Sequence, residues 1–150
     1  MVYVANDPST DAAALAHRVR PVLLRIAREL RREIHSLGVT GGQVSLLVQI
    51  KTSPGITASE LAERERISAP GMSGHIARLE AARLIARTRA SDRRRIGLTV
   101  TPDGDRVLAN VKKRRTAWLA ERLKGLTPDE RSSIEAALPA LERLLEAPIR

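Results

Sequence analysis

Residues 57–80 read TASELAERERISAPGMSGHIARLE, and this stretch decides the fold. Thr57-Ala58-Ser59-Glu60 is a capping box: the Thr57 hydroxyl accepts from the Glu60 amide while the Glu60 carboxylate reaches back, so a helix begins at Ala58. It carries Leu61 and Ala62 inward and is short, ending between Arg64 and Ile67, where Ser68 caps the next helix. Two caps this close define a helix-turn-helix. In the second helix Met72, Ile76 and Leu79 fall on one face, and that face is core. A rotation of about 100° per residue puts Pro70, Gly71, Gly74 and Arg78 opposite, with Ser73 and His75 on the flanks. The exposed face is small and polar with one strong donor, a shape that can approach a groove closely.

Working outward, Ile85-Ala86-Arg87-Thr88-Arg89 and Ile96-Gly97-Leu98-Thr99-Val100 are rich in β-formers and enclose the charged tip Ser91-Asp92-Arg93-Arg94-Arg95, which predicts a β-hairpin, or wing. Thr101-Pro102 then supplies an N-cap and a first-turn proline for a long helix through Val107, Val111, Trp118, Leu119 and Leu123, ended by Gly125. Thr127-Pro128-Asp129-Glu130 opens a last helix carrying Ile134, Leu138, Leu141 and Leu145, with a kink expected at Pro139. Upstream, Gly38 and Gly41-Gly42 break the chain, and Val44, Leu47, Val48 and Ile50 make a short helix that stops at Ser53-Pro54-Gly55. Before that, Leu15, Val19, Val22, Leu23, Ile26, Leu30 and Ile34 recur every three or four residues in a long amphipathic helix, kinked at Pro21. Residues 1–11 lack periodicity and read as a flexible arm. There is no internal repeat, low-complexity tract or sign of a second domain. The expected architecture is one domain over 1–150, mainly α with a small β-wing, in which long helices over 12–36 and 103–146 flank a winged helix-turn-helix over 40–101.

Composition narrows the function. Phe is absent and Trp118 and Tyr3 are the only aromatics, so the core must come from Leu, Ile, Val and Ala, which suits packed helices. The net charge is +9 and only four of the 26 basic residues are lysines. Guanidinium forks match phosphates and guanine edges, which points to nucleic acid. Between residues 64 and 95 nine arginines stand against Glu65, Glu80 and Asp92, so the charge concentrates on the helix-turn-helix and wing. With almost no aromatic stacking platforms, single strands and RNA are poor partners and duplex DNA is the better one.

The absence of cysteine excludes disulfides, thiolate metal sites and thiol redox switching. His17, His35 and His75 have no partner one turn away and no acid cluster, so neither a metal nor a cofactor is expected, and nothing supports an enzyme. Val2-Tyr3-Val4-Ala5 is too short for a signal sequence and no stretch approaches the ~20 apolar residues of a membrane span, so a cytoplasmic location is expected.

The order of elements and the local text resemble the MarR (multiple antibiotic resistance regulator) family over nearly the whole chain. The matching pieces are Leu61-Ala62-Glu63-Arg64 leading to Ser68, then Ser73, Arg78-Leu79-Glu80, Leu84-Ile85, and Asp92-x-Arg94 followed by Val100-Thr101-Pro102-Asp103-Gly104. The resemblance implies a homodimer formed by the long terminal helices. It would dock two winged units on a pseudo-palindromic operator, with half-sites ~34 to 36 Å apart. It also implies a transcriptional regulator, a repressor released by a small ligand such as an aromatic or phenolic acid, which arginines at the junction of dimer helices and winged unit can receive. The chain departs from the family at Gly74, where a basic base-reading residue is common; His75 is the candidate substitute.

The expected DNA-contacting residues are therefore Ser68, Pro70, Gly71, Ser73, Gly74, His75 and Arg78 on the recognition helix and Arg93, Arg94 and Arg95 on the wing. Arg93 or Arg95 is the expected minor-groove probe, because a narrow groove focuses negative potential on an inserted guanidinium. Asp92 shapes the wing by pairing with Arg94, since phosphate repels a carboxylate. Gly71 and Gly74 weaken the helix, so its order is expected to depend on packing or DNA. The Lys112-Lys113-Arg114-Arg115 run reads as a solvated face and Trp118 as a core or dimer anchor. Two rivals remain: an architectural DNA-coating protein, which predicts little sequence discrimination, and a winged-helix protein-interaction module, which predicts indifference to duplex.

Overall fold

The computed structural model describes residues 8–89 and 94–146. Six helices and one hairpin follow in the order α1 (Pro8–Arg32), α2 (Gly41–Thr52), α3 (Ala58–Glu65), α4 (Ala69–Ala81), β1 (Ile85–Arg89), β2 (Ile96–Val100), α5 (Pro102–Lys124) and α6 (Pro128–Glu146). The fold is mainly α with a small β-wing. The strands pair antiparallel from Ile85 opposite Val100 to Arg89 opposite Ile96, and Ile56 adds a single bridge to Leu98 on the far side. No helix among the described residues is long and apolar enough to cross a membrane.

Two expectations change. First, α1 begins at Pro8, ahead of the expected 12, and ends at Arg32; the chain then tightens into a 3-10 turn, His35–Leu37, closed by Gly38 in the left-handed region at φ 72°. Pro21 and Pro139 lie inside α1 and α6, and each helix continues past its proline; each proline forfeits a backbone hydrogen bond, and the surrounding Leu, Ala, Arg and Glu residues are strong helix formers. Second, Gly41-Gly42 is no break: the two glycines are the first residues of α2. Thr40 Oγ1 accepts from the Gln43 amide at 3.2 Å and Gln43 Oε1 accepts from the Thr40 amide at 2.9 Å, a capping box that starts the helix in spite of them.

The core is one cluster running from Ile34 to Val111, with Leu47, Ile50, Leu61, Ile76, Leu79 and Leu98 shielded from solvent. Burial of each such side chain stabilises the fold by about 1.5 to 3 kcal/mol. The long helices behave differently. The described side chains of α1 include no buried residue, and α6 buries none.

Gly104 locks the winged unit to α5. A Cβ there would lie 2.3 Å from the Leu84 carbonyl oxygen and 2.6 Å from Val100 Cγ1. That approach lets the Thr101 amide donate to the Leu84 carbonyl at 3.1 Å, while Thr101 Oγ1 donates to the Arg83 carbonyl and caps Gly104. Because the obstacle is backbone, Gly104→Ala is expected to destabilise the protein by about 1 to 3 kcal/mol, the usual range for overpacking. Thermal unfolding checks this; an unchanged melting temperature would refute the close packing.

Candidate nucleic-acid interface

The helix-turn-helix is built from its caps. Thr57 and Glu60 close the box predicted for α3, the Glu60 carboxylate accepting from the Thr57 amide at 2.9 Å. Arg66 ends α3 in the left-handed conformation at φ 53°, and the next amide, of Ile67, returns to the Ala62 carbonyl at 3.0 Å. Ser68 then caps α4, its hydroxyl accepting from the Gly71 amide at 3.3 Å. Met72, Ile76 and Leu79 turn inward as their spacing requires. That buried face packs α4, a continuous helix that includes Gly71 and Gly74.

On the outer side of α4, Ser68, Pro70, Ser73 and Arg78 are exposed, and Gly71, Gly74 and His75 are half-buried. The seven residues expected to meet DNA thus belong to one helix and its cap. The Arg78 side chain runs back toward the helix start, as long helical side chains do. Its Nη2 would be 3.6 Å from a Cβ at position 74. The glycine therefore leaves a shallow seat beneath the guanidinium, where a bulkier side chain would compete for the same face.

Contacts among the described residues tie the wing to the helix-turn-helix. Arg87 on β1 grips Glu80 near the end of α4 through two bonds, Nε to Oε1 at 2.7 Å and Nη2 to Oε2 at 3.2 Å. The Glu80 carboxylate raises the already high pKa of Arg87. Near the tip-ward end of β2, Gly97 lies directly on Gly55: a Cβ would meet the Gly55 carbonyl oxygen at 2.5 Å. The Gly55 amide donates to the Leu98 carbonyl at 2.8 Å and the Leu98 amide to the Ile56 carbonyl at 2.9 Å. Another tie is an ion pair between Arg95 and Glu60. The Thr57 backbone amide and then the Arg95 guanidinium hold the Glu60 carboxyl below its ordinary pKa. Arg94 and Arg95 are both exposed. Asp92 and Arg93 lie outside the described residues.

Some functional contacts were not predicted from the sequence. Arg114 and Arg115 do not form a simple solvated face: they reach the C-terminal end of α1, Arg114 Nε toward the Glu33 carbonyl at 3.4 Å and Nη2 to Ser36 Oγ at 2.8 Å, Arg115 Nε toward the Leu30 carbonyl at 3.4 Å. Guanidiniums there satisfy orphan carbonyls and oppose the negative end of the helix dipole. Lys51 on α2 likewise meets Asp105 in the first turn of α5 at 2.8 Å. Trp118 does not enter the described core. It is half-buried with the Arg122 guanidinium 4.6 Å from its ring centre, and the two line an open cleft with Val22 and Ile26 of α1.

Comparison with known proteins agrees with this geometry. Residues 37–96, which span α2 through the first residue of β2, match the model of the MarR family. The MdtR transcriptional repressor of Bacillus subtilis is 35% identical over 126 residues, covering 83% of this chain and 77% of its own length. The chain belongs to the MarR family. An HTH-type transcriptional regulator of Mycobacterium bovis is 30% identical over 135 residues, 89% of this chain and 94% of that protein. In three dimensions a Pseudomonas aeruginosa transcriptional regulator superimposes with a TM-score of 0.81 at 28% identity, covering 94% of this chain and all of the other. This MarR-family protein is accordingly a DNA-binding transcriptional regulator, and its family is one of regulators, not enzymes.

Proposed function

We propose that this regulator acts as a homodimeric repressor that occupies a pseudo-palindromic operator and leaves it when a small anionic ligand binds. The observation that carries the reading is the contrast between a complete winged unit, with its core closed between Ile34 and Val111, and two long helices whose apolar side chains stay at the surface. On α1 these are Leu15, Val22, Leu23, Leu24 and Ile26; on α6 they are Ile134, Leu138, Leu141, Leu144 and Leu145. Stripes of this extent mark an interface, and the occupant with matching stripes is a second copy of the chain. A two-fold pair places two recognition helices one turn of B-DNA apart, ~34 to 36 Å. Repression by occupancy follows the B. subtilis relative, which is a repressor.

In each half of the dimer, Ser68, Pro70, Gly71, Ser73, Gly74, His75 and Arg78 are assigned to the major groove and Arg93 and Arg94 to the minor groove, with Asp92 given a role within the wing and not on DNA. Arg95 joins them only by leaving Glu60. The ligand site that fits best is a cleft of about 420 Å³ where α1, α2 and α5 meet, lined by Ala27, Leu30, Arg31, Gly41 and Arg115. Apolar walls with two guanidiniums suit an aromatic or phenolic acid, whose carboxylate an arginine fork binds bidentately.

The test begins with genome-wide footprinting to find the operator, followed by release assays with metabolites of the genes it controls. Arg78→Ala is then expected to weaken operator binding by about 1 to 3 kcal/mol at fixed salt, the value of a base-edge guanidinium contact. Unchanged affinity in that titration would remove Arg78 from the interface.

A further inference from the structure

We infer that Glu60 restrains DNA binding: its carboxylate occupies the Arg95 guanidinium in the place a DNA phosphate would take, so that one wing arginine is held back from the backbone. The inference rests on the wing facing DNA, as proposed above. It starts from the double duty of one side chain. Glu60 Oε2 is fixed at 2.9 Å by the Thr57 amide, and the other oxygen, Oε1, receives Arg95. A carboxylate already immobilised by its own helix cap cannot swing away, so little further freedom is lost when the arginine arrives.

The position is the one a competitor needs. Ile56 and Gly55 bond to Leu98, whereas Glu60 reaches Arg95, three residues nearer the tip of the hairpin. The first turn of α3 therefore lies within side-chain reach of the residue that precedes β2. Among the described residues, the other charged group lining this cleft is Arg64, which donates to Ser53 Oγ at 2.8 Å. A carboxylate oxygen and a phosphate oxygen are both anionic acceptors for a guanidinium N–H, so one can replace the other. The ion pair is open to water, with side-chain exposures of 52% for Arg95 and 43% for Glu60. Such pairs are weak, which limits the expected effect to a few-fold. The contact is thus a brake and not a lock, and in a chain of net charge +9 it limits binding to arbitrary duplex.

The experiment measures affinity for a random-sequence duplex across a salt series. Glu60→Gln removes the charge but keeps a side chain that can cap, since Gln43 serves α2 at the equivalent position. It is expected to melt as the wild type does, to bind random duplex about 3- to 10-fold tighter at low salt, and to steepen the slope of log K against log salt by about 0.9, one additional phosphate. Adding Arg95→Ala to it is expected to restore the wild-type slope. Arg95→Ala alone, which leaves the cap of α3 untouched, is expected to leave that slope as it is in the wild type. A slope that Glu60→Gln leaves unchanged or makes shallower would overturn the inference, and so would a shallower slope in Arg95→Ala. Arg94→Ala is the control for the wing: if it lowers the slope while Glu60→Gln does nothing, the brake alone is wrong. If no wing variant changes the slope, the wing does not face DNA and both readings fall.

Discussion

Replacing Leu138 and Leu141 together by glutamate is expected to leave a folded monomer of 16.4 kDa that binds its operator about 10²- to 10⁴-fold more weakly than the wild type. The size of the effect comes from linkage: once one winged unit is docked, the second binds its half-site at the high effective concentration set by the dimer, and a monomer forfeits that gain. The two leucines are suited to the test because they belong to a stripe and not to the core. Ile134, Leu138, Leu141 and Leu145 recur at spacings of four, three and four along α6, the pattern that packs one helix seam against another. Leu138 is 47% exposed and Leu145 90% in the single chain. Two carboxylates buried there without partners are incompatible with a closed interface. Sedimentation equilibrium reads the mass, and titration of the footprinted operator reads the affinity. If the double variant stays dimeric, α6 is not the seam; if it becomes monomeric yet binds within about tenfold of wild type, the two half-sites are not linked.

Local chemistry explains what the sequence revealed. Thr57 with Glu60, Ser68 before Pro70, and Thr101 before Pro102 act on backbone groups three residues away or less, so their spacing alone placed α3, α4 and α5. The inward faces of α3 and α4 were equally legible, because Leu61, Met72, Ile76 and Leu79 follow the helical period. Thr40 and Gln43 make the same box, yet the pair of glycines between them masked it, since glycine propensity argues against a helix that the cap and tertiary packing nevertheless start. Long-range contacts were out of reach for a different reason. Arg95 meets Glu60 across 35 residues and Arg114 meets Ser36 across 78, and nothing in the local text distinguishes an arginine that finds a carbonyl or carboxylate in space from one that remains in water. Of the expected DNA-contacting set, α4 carries its seven members on one helix and its cap; on the wing Arg94 and Arg95 are both exposed, and Arg95 is in an ion pair with Glu60 of α3.

The second large effect is expected inside the helix-turn-helix. Leu61 is fully shielded from solvent, on a helix of only eight residues that packs chiefly against α4. Leu61→Ala deletes three buried carbon atoms at a place where α3, held at one end by its Thr57–Glu60 cap and at the other by the Arg66 turn, cannot collapse to refill the space. Removal of a buried leucine costs about 2 to 5 kcal/mol under such restraint. Against a total stability of about 5 to 15 kcal/mol this is a large share, and in a chain of this length it corresponds to a fall in melting temperature of roughly 5 to 15 °C. Leu61→Met, which conserves volume, is expected to cost less than about 1.5 kcal/mol. The functional consequence follows from the packing: the angle at which α4 is presented depends on the α3 side chains beneath it, so Leu61→Ala should weaken operator binding even below its own unfolding range. Leu61→Met should bind nearly as the wild type does. Equilibrium denaturation of both variants, paired with operator titration at a temperature where each is folded, separates the two effects. A loss below about 1 kcal/mol for Leu61→Ala would show that α3 does not rest on a rigid core.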